Sequence, residues 1–558
     1  MGCGILESRS GIKHVPGTNL LDTHDVAWVD QSTHLKRGTG KNSHILLVPQ
    51  PSNSPNDPLN WPLWQRDLIL LLYCYATVLC IGGIGPILSS MALILIEDLG
   101  ISFTQVSLLT GYSLCATGAV GIFVSALARK YGKRPCLLFS ATCAFAGTLW
   151  GGAANSYGSL LGARVVQGLG VAMFESVMFS VVGDLYYVHE RGSRMAIYVT
   201  ANSGIANLPA MLAGKITIDL GWRWVFWLLA IFLGTAWAGV VFFGWETAYN
   251  RNSIYNIDTS SQENIEMIEE VKAHTSTHVE ANQTQGLSSN EQPANIEKTT
   301  TASTANTIEA RDSFLKRMKP VTGTFTEESI LKMVVRPFFI LLNPAVLWAV
   351  ISIAIPTLWL VGFSFVIAQI FSAPPYLLNT QQLGYLSAGP VVGGTLGCIV
   401  AGWIADPITK YISRRNKGVY EPEFRLTLMI PSAILSVLGY FLFGGMIEEG
   451  KPAAGMAAVW ALVLAGLQFL AVAIGNYMVD AYRNISVEVF IISMVFKNFL
   501  FFGFSFFLND WVASWGPQKF FNFIGGVQLA LYVTTIPMYM FGKRLRAWWH
   551  SHDVLSKI

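Results

Sequence analysis

From residue 68 onward, apolar runs of about 20 residues alternate with short polar breaks, which is the length an α-helix needs to cross a bilayer. The first block predicts spans at about 68–96, 104–128, 136–154, 159–183, 195–219 and 222–244. The second predicts six more at about 345–371, 382–405, 426–447, 454–480, 487–511 and 520–542. Gly82, Gly83, Gly85 and Pro86 interrupt the first span, which is tolerated where a neighbour or a cavity satisfies the freed backbone. Residues 250–312 are rich in Ser, Thr, Asn and Glu and nearly free of aromatics, so they cannot bury enough apolar surface to fold. The pattern predicts an all-α membrane protein of twelve transmembrane helices in two six-helix halves. It divides the chain into a tail (1–65), a first half (66–245), a disordered linker (246–325), an interfacial helix with the second half (326–544), and a tail (545–558). The first tail is expected to be largely disordered until Asp57–Pro62, which is expected to pack against the cytoplasmic face.

Charge sets the orientation. Only 13% of residues are charged, about half the share of roughly 25% usual in soluble proteins. The net charge of +3 gives no reason to expect a nucleic-acid partner. Arg129, Lys130, Lys133 and Arg134 lie between spans 2 and 3, Arg191 and Arg194 between 4 and 5, and Lys410, Arg414, Arg415, Lys417 and Arg425 between 8 and 9. The alternate loops hold few cations, so the positive-inside rule places both termini and the linker in the cytoplasm. The sequons at Asn282 and Asn484 then face away from the glycosylating side. The basic, aromatic end KRLRAWWHSHDV suits an anionic membrane surface. The seven cysteines lack metal spacing and read as packing residues without disulfides. No GxxxxGK[ST] loop, metal cluster or nucleophile elbow is present, so no cofactor, metal or catalytic residue is expected and any transport should be gradient-driven.

The stretch Leu160–Gly192 carries ions where apolar residues belong. Arg164 and Glu175 are eleven residues apart, hence on one helix face and about 16 Å apart along the axis. Ionised groups at bilayer depth cost at least about 2.5–3.5 kcal/mol and normally face a protein interior or a wet cavity. Glu175, modulated by Arg164, is the first candidate for proton coupling; the alternative is a fixed pair that orients span 4. Asp480 shares a face with Asn476 and is either a second titrating group or a helix-end cap. Lys497, about ten residues into span 11, is a counter-ion in the cavity or a structural lysine. Lys215 and Asp219 read as a surface pair. Asp184, Glu190, Arg191 and Asp406 sit at inner helix ends, where salt bridges could form a cytoplasmic gate. Gln167, Asn202 and Asn498 are polar, and Phe174, Tyr376, Tyr477 and Phe501 aromatic, candidates for lining a substrate cavity. Span 4 ends in Asp184-Leu-Tyr186 and span 10 in Asp480-Ala-Tyr482, a trace of repetition between the halves.

These residues resemble the major facilitator superfamily, and within it the fungal drug:proton antiporter-like group. The match is carried by HVPGT at His14–Thr18, DPLNWP at Asp57–Pro62, the span-4 pattern Leu160-xxx-Arg164-xx-Gln167-Gly168-x-Gly170 and Glu421-Pro422-Glu423-Phe424-Arg425-Leu426. Two departures stand out. The superfamily loop G-x-L-A-D-R-x-G-R-K has Ser125 for its glycine and Arg129 for its aspartate, whereas the second half keeps Gly402 and Asp406. The antiporter motif of span 5 is reduced to Gly204, Pro209 and Gly214. The resemblance implies a monomeric, multi-pass plasma-membrane carrier that exports small organic molecules, such as drugs or secondary metabolites, in exchange for protons. Proton-coupled uptake of a cationic nutrient such as a polyamine is the first alternative, and a transporter-like nutrient sensor the second.

Overall fold

The computed structural model describes residues 54–249, 311–416, 418–482 and 485–552, with short pieces of the N-terminal segment at 4–6, 18–20, 36, 47, 49 and 51–52. Most of the expected linker, 250–310, lies outside the described residues. Helical rods occupy all twelve expected positions. Ten are long and apolar enough to cross a membrane: Leu63–Gly83, Phe103–Tyr131, Tyr157–Leu185, Trp222–Phe243, Pro344–Ser372, Thr380–Arg415, Pro422–Glu448, Ala453–Ala481, Ser486–Ser505 and Pro517–His552. The two others are spans 3 and 5. Span 3, Lys133–Gly152, opens on two cations. Span 5 is pieced together from Val188–Val199, a π turn at Thr200–Gly204, and Leu208–Leu220.

Several rods outrun the apolar stretch that announced them. Span 8 continues to Arg415 and span 12 to His552, because Lys410, Arg414 and Arg544 are good helix formers once past the hydrocarbon. Part of this basic extension packs back on the second half. Arg546 is buried and donates to Glu421 (2.9 Å) and Glu423 (2.8 Å), while Lys543 pairs with Glu421 (2.7 Å). Asp57–Trp61 packs on the first half as expected. Asp57 caps a short 3-10 turn through the Leu59 amide, and Tyr187 donates to the Leu59 carbonyl at 3.0 Å. The helix Ile330–Ile340 lies across spans 2 and 11, with Met333, Pro337 and Ile340 inward and Leu331 exposed. Among the described residues the β-structure is one antiparallel pair, Asn19–Leu20 against Val419–Tyr420.

Span 1 breaks where its glycines and proline stand. A π turn covers Val78–Gly83, and the helix restarts at Ile87 and again at Ala92. Span 3 begins with a cap supplied by another element. Glu246, just past span 6, accepts the backbone N–H groups of Lys133 (2.9 Å) and Arg134 (3.0 Å). Burial raises the pKa of that carboxyl against the pull of these donors.

Within each half, small residues let the rods touch backbone to backbone, the main source of association where lipid removes any hydrophobic drive. Gly389, Gly393 and Gly397 of span 8 face Ala457, Ala461 and Ala465 of span 10 in a four-residue ladder. Gly168 and Gly170 of span 4 press on Ser113 and Ala144 in the same manner. Between the halves, span 2 packs on span 11 and span 5 on span 8. Replacing each span by its counterpart in the other half, 2 by 8 and 11 by 5, turns one pair into the other, as two parallel repeats require.

The ladder makes a prediction. A Cβ at Gly393 would stand 2.0 Å from the Ala461 carbonyl oxygen, whereas one at exposed Gly402 meets nothing within 4 Å. Gly393→Val should cost about 3 kcal/mol, seen as a lowered thermal midpoint in detergent, and Gly402→Val less than about 0.5 kcal/mol.

Candidate functional site

Span 4 delivers Glu175 to the last turn before a kink at Val177, and span 11 delivers Lys497 and Asn498 from the other half. The Lys497 ammonium donates to Glu175 Oε1, and Asn498 Nδ2 donates to Glu175 Oε2 at 3.2 Å. Lys497 is eleven residues from the start of its helix, about 16 Å, hence near the middle of a hydrocarbon layer about 30 Å thick. The two charged side chains are 15% and 21% exposed, so the pair is not fully sealed in the core. One turn nearer the termini, Phe179 stacks on Phe490 of span 11 (centroids 5.6 Å) and meets the Tyr198 ring edge-on (5.1 Å). Tyr198 in turn donates to the Phe174 carbonyl at 2.8 Å.

Arg164 is not the partner of Glu175. It is fully buried and donates to the Ile84 carbonyl, to Gln167 Oε1 (2.9 Å) and to Thr110 Oγ1 (3.3 Å). Gln167 passes the chain on to Thr148 at 2.9 Å. The reason is local: the break at Gly85–Pro86 strips the Ile84 carbonyl of its helical donor, and a buried carbonyl must be answered. The cation expected to modulate the carboxylate instead closes the gap in span 1, and Lys497 takes its place.

Asp480 belongs to a different group. It accepts from Tyr420 and from Arg425 Nε (3.1 Å), and Arg425 also reaches Asp406 (2.7 Å) at the termini end of the second half. Asp184 pairs with Lys133, Glu190 with Arg66 (3.0 Å), and Arg191 donates to the Gly183 carbonyl (2.8 Å), all inside the first half. The repeated Asp-x-Tyr thus carries equivalent bonds, each aspartate held by a cation at the head of span 3 or span 9. Tyr376 lies at the far end of span 7, against Phe371 (4.8 Å) and the Ile447 carbonyl. Tyr477 and Phe501 are buried in interhelical packing beside Trp348 and Phe365. Asn202, on the π turn of span 5, and Asn476, on span 10, are half-buried. Lys215–Asp219 is the exposed pair expected, at 2.9 Å.

One partner went unread in the sequence. Arg129, standing where an aspartate is usual, pairs at 2.7 Å with Glu488 in the first turn of span 11, and Arg336 of the interfacial helix approaches the same carboxylate at 3.9 Å. An ion pair thus joins the halves at this position, with the base on span 2 and the acid on span 11. At the opposite end spans 1 and 7 pack together, and Ser89, Ser90, Ser364 and Ser387 enclose about 10 Å³, no more than one water. Among the described residues no comparable packing joins spans 4 and 10 at the termini end. The bundle is shut at the far end.

Two six-helix halves joined at depth by a partly buried ion pair define a secondary-transporter architecture. The chain belongs to the Major Facilitator Superfamily, whose profile matches residues 73–494. It is 26% identical to an uncharacterized MFS-type transporter of Schizosaccharomyces pombe, over 97% of this chain and 94% of that one. It is 24% identical to Protein HOL1 of Saccharomyces cerevisiae, over 98% of each. It is 22% identical to Efflux pump vrtL of Penicillium aethiopicum, over 90% of each.

The Arg129–Glu488 pair is testable by a double-mutant cycle. Arg129→Glu and Glu488→Arg should each destabilise the purified protein, since either leaves a charge facing its like. Combined, they should recover on the order of 1 kcal/mol relative to the sum of the single effects, read from thermal unfolding.

Proposed function

We propose that this transporter exports small organic molecules from a fungal cell in exchange for protons, with Glu175 as the group that is alternately protonated and paired. The observation that carries the reading is the Glu175–Lys497 pair, made across the seam between the halves and not fully sealed in the core. Protonating Glu175 removes the charge attraction that ties span 4 to span 11, so proton binding loosens the seam at the depth where a substrate would sit. Asp480, already held by Arg425 and Tyr420 near the helix end, serves as a fastening of the second half. Similarity to Efflux pump vrtL and to Multidrug transporter AQR1 of Candida glabrata supports the outward direction. The positive-inside pattern supports cytoplasmic termini in a plasma-membrane protein, with the far-end closure then facing outward.

A second reading, uptake of a cationic nutrient such as a polyamine, is favoured by one feature. Glu175 already holds an alkylammonium, that of Lys497, and an amine substrate could take its place.

Proteoliposomes decide between them. With an imposed pH gradient, ethidium should move against the proton flow, and spermidine should show no gradient-driven accumulation with it. Glu175→Gln should abolish pH-driven ethidium movement while leaving ethidium exchange at zero gradient. Gradient-driven transport that survives the substitution would remove Glu175 from the coupling role.

A further inference from the structure

A groove of about 1020 Å³ runs down the outside of the first half at the end away from the termini. Span 6 supplies one wall with Trp227, Ile231 and Gly234, and span 3 the other with Phe145 and Leu149. At its polar end Arg223 meets Asp98 at 3.3 Å, and Trp222 Nε1 donates to the same carboxylate at 2.7 Å. We propose that this groove binds one phosphatidylethanolamine molecule of the adjacent leaflet, with its phosphate on Arg223, its ammonium on Asp98 and an acyl chain along span 6.

Three observations support that occupant. The first is placement: one apolar wall is span 6, long and apolar enough to cross a membrane, and Trp224 and Ile231 on it are exposed, as a lipid-facing surface requires. The second is length. Arg223 to Gly234 is eleven residues of helix, about 16 Å, which matches one leaflet of a hydrocarbon layer about 30 Å thick. The third is charge. Arg223 and Asp98 are 40% and 46% exposed at the side chain, and the remaining bonds of Arg223, to the Ala154 carbonyl and Asn155, are long at 3.4 and 3.5 Å. The guanidinium also lies over the Trp222 ring at 4.4 Å, a contact that uses none of its N–H groups, so it retains donors for a phosphate, which it grips bidentately, and the neighbouring carboxylate has acceptor capacity for N–H donors. A headgroup with one anion and one hydrogen-bonding cation answers both. A choline headgroup lacks the N–H donors, and a glycerol headgroup lacks the cation.

Native mass spectrometry of the full chain in detergent, with dioleoyl phosphatidylethanolamine, phosphatidylcholine and phosphatidylglycerol added in equal amounts, tests the assignment. The wild type should retain one phosphatidylethanolamine preferentially. Arg223→Ala should lower that retention about 10-fold, the loss of a charge-assisted contact of about 1.4 kcal/mol. Asp98→Asn keeps an acceptor for Trp222 and should erase the lead of phosphatidylethanolamine over phosphatidylcholine. Gly234→Leu leaves the ion pair untouched but fills the tail end, where a Cβ already meets the Phe145 ring at 3.2 Å, and should also release the lipid. Equal retention of the three lipids by the wild type, a preference for phosphatidylglycerol, or the same profile in Asp98→Asn and Gly234→Leu as in the wild type would overturn the proposal.

Discussion

Inside a bilayer nothing but the protein can answer a charge or a bare carbonyl, and that constraint organises this molecule. The break in span 1 creates an unanswered carbonyl at Ile84, and Arg164 is spent on it. Glu175 is then left to the other half, where Lys497 and Asn498 meet it. These two cations at depth have separate duties. Arg164 makes the first half one body, and Lys497 joins that body to the second.

The packing is divided the same way. Glycine and alanine ladders hold each half backbone to backbone, so the halves are stiff. The ion networks at the termini end are also internal: Lys133–Asp184 and Arg66–Glu190 in one half, Arg425 with Asp406 and Asp480 and Arg546 with Glu421 and Glu423 in the other. Among the described residues, the ion pairs that cross the seam are Glu175–Lys497 and Arg129–Glu488, the latter joined by Arg336. A rocking motion can therefore leave most of the charged contacts intact.

The rods were legible in the sequence because burial in lipid demands about 20 apolar residues, and that demand shows in hydropathy alone. Their ends were not, since water tolerates a helix of Lys410, Arg414 and Arg415 as well as it tolerates a loop. The charged residues at depth stood out for the cost of placing them there, and Glu175, Arg164 and Lys497 were each singled out. Their pairing was hidden. Helical periodicity tells which residues share a face of one helix, but not which helix lies opposite, and Glu175 and Lys497 are 322 residues apart. Asp480 and Asp184 were seen as a repeat, yet only contacts show that each is tied to the helix before it. Tyr376 and Phe501 were aromatic at plausible positions, and composition could not tell a packed ring from one facing a cavity.

Arg129 shows how such a constraint outlives the residues that usually meet it. An aspartate at the end of span 2 faces the amide-rich start of a neighbouring helix comfortably, and an arginine there would be repelled by the same dipole. This chain has the arginine, and it also has Glu488 in the first turn of span 11, a position where a carboxylate is favoured by that dipole. The acid of this pair stands on span 11 and the base on span 2, so the carboxylate absent at Arg129 is supplied from the other half. The substitution that removes an acid from span 2 therefore does not leave its position without a charged contact across the seam.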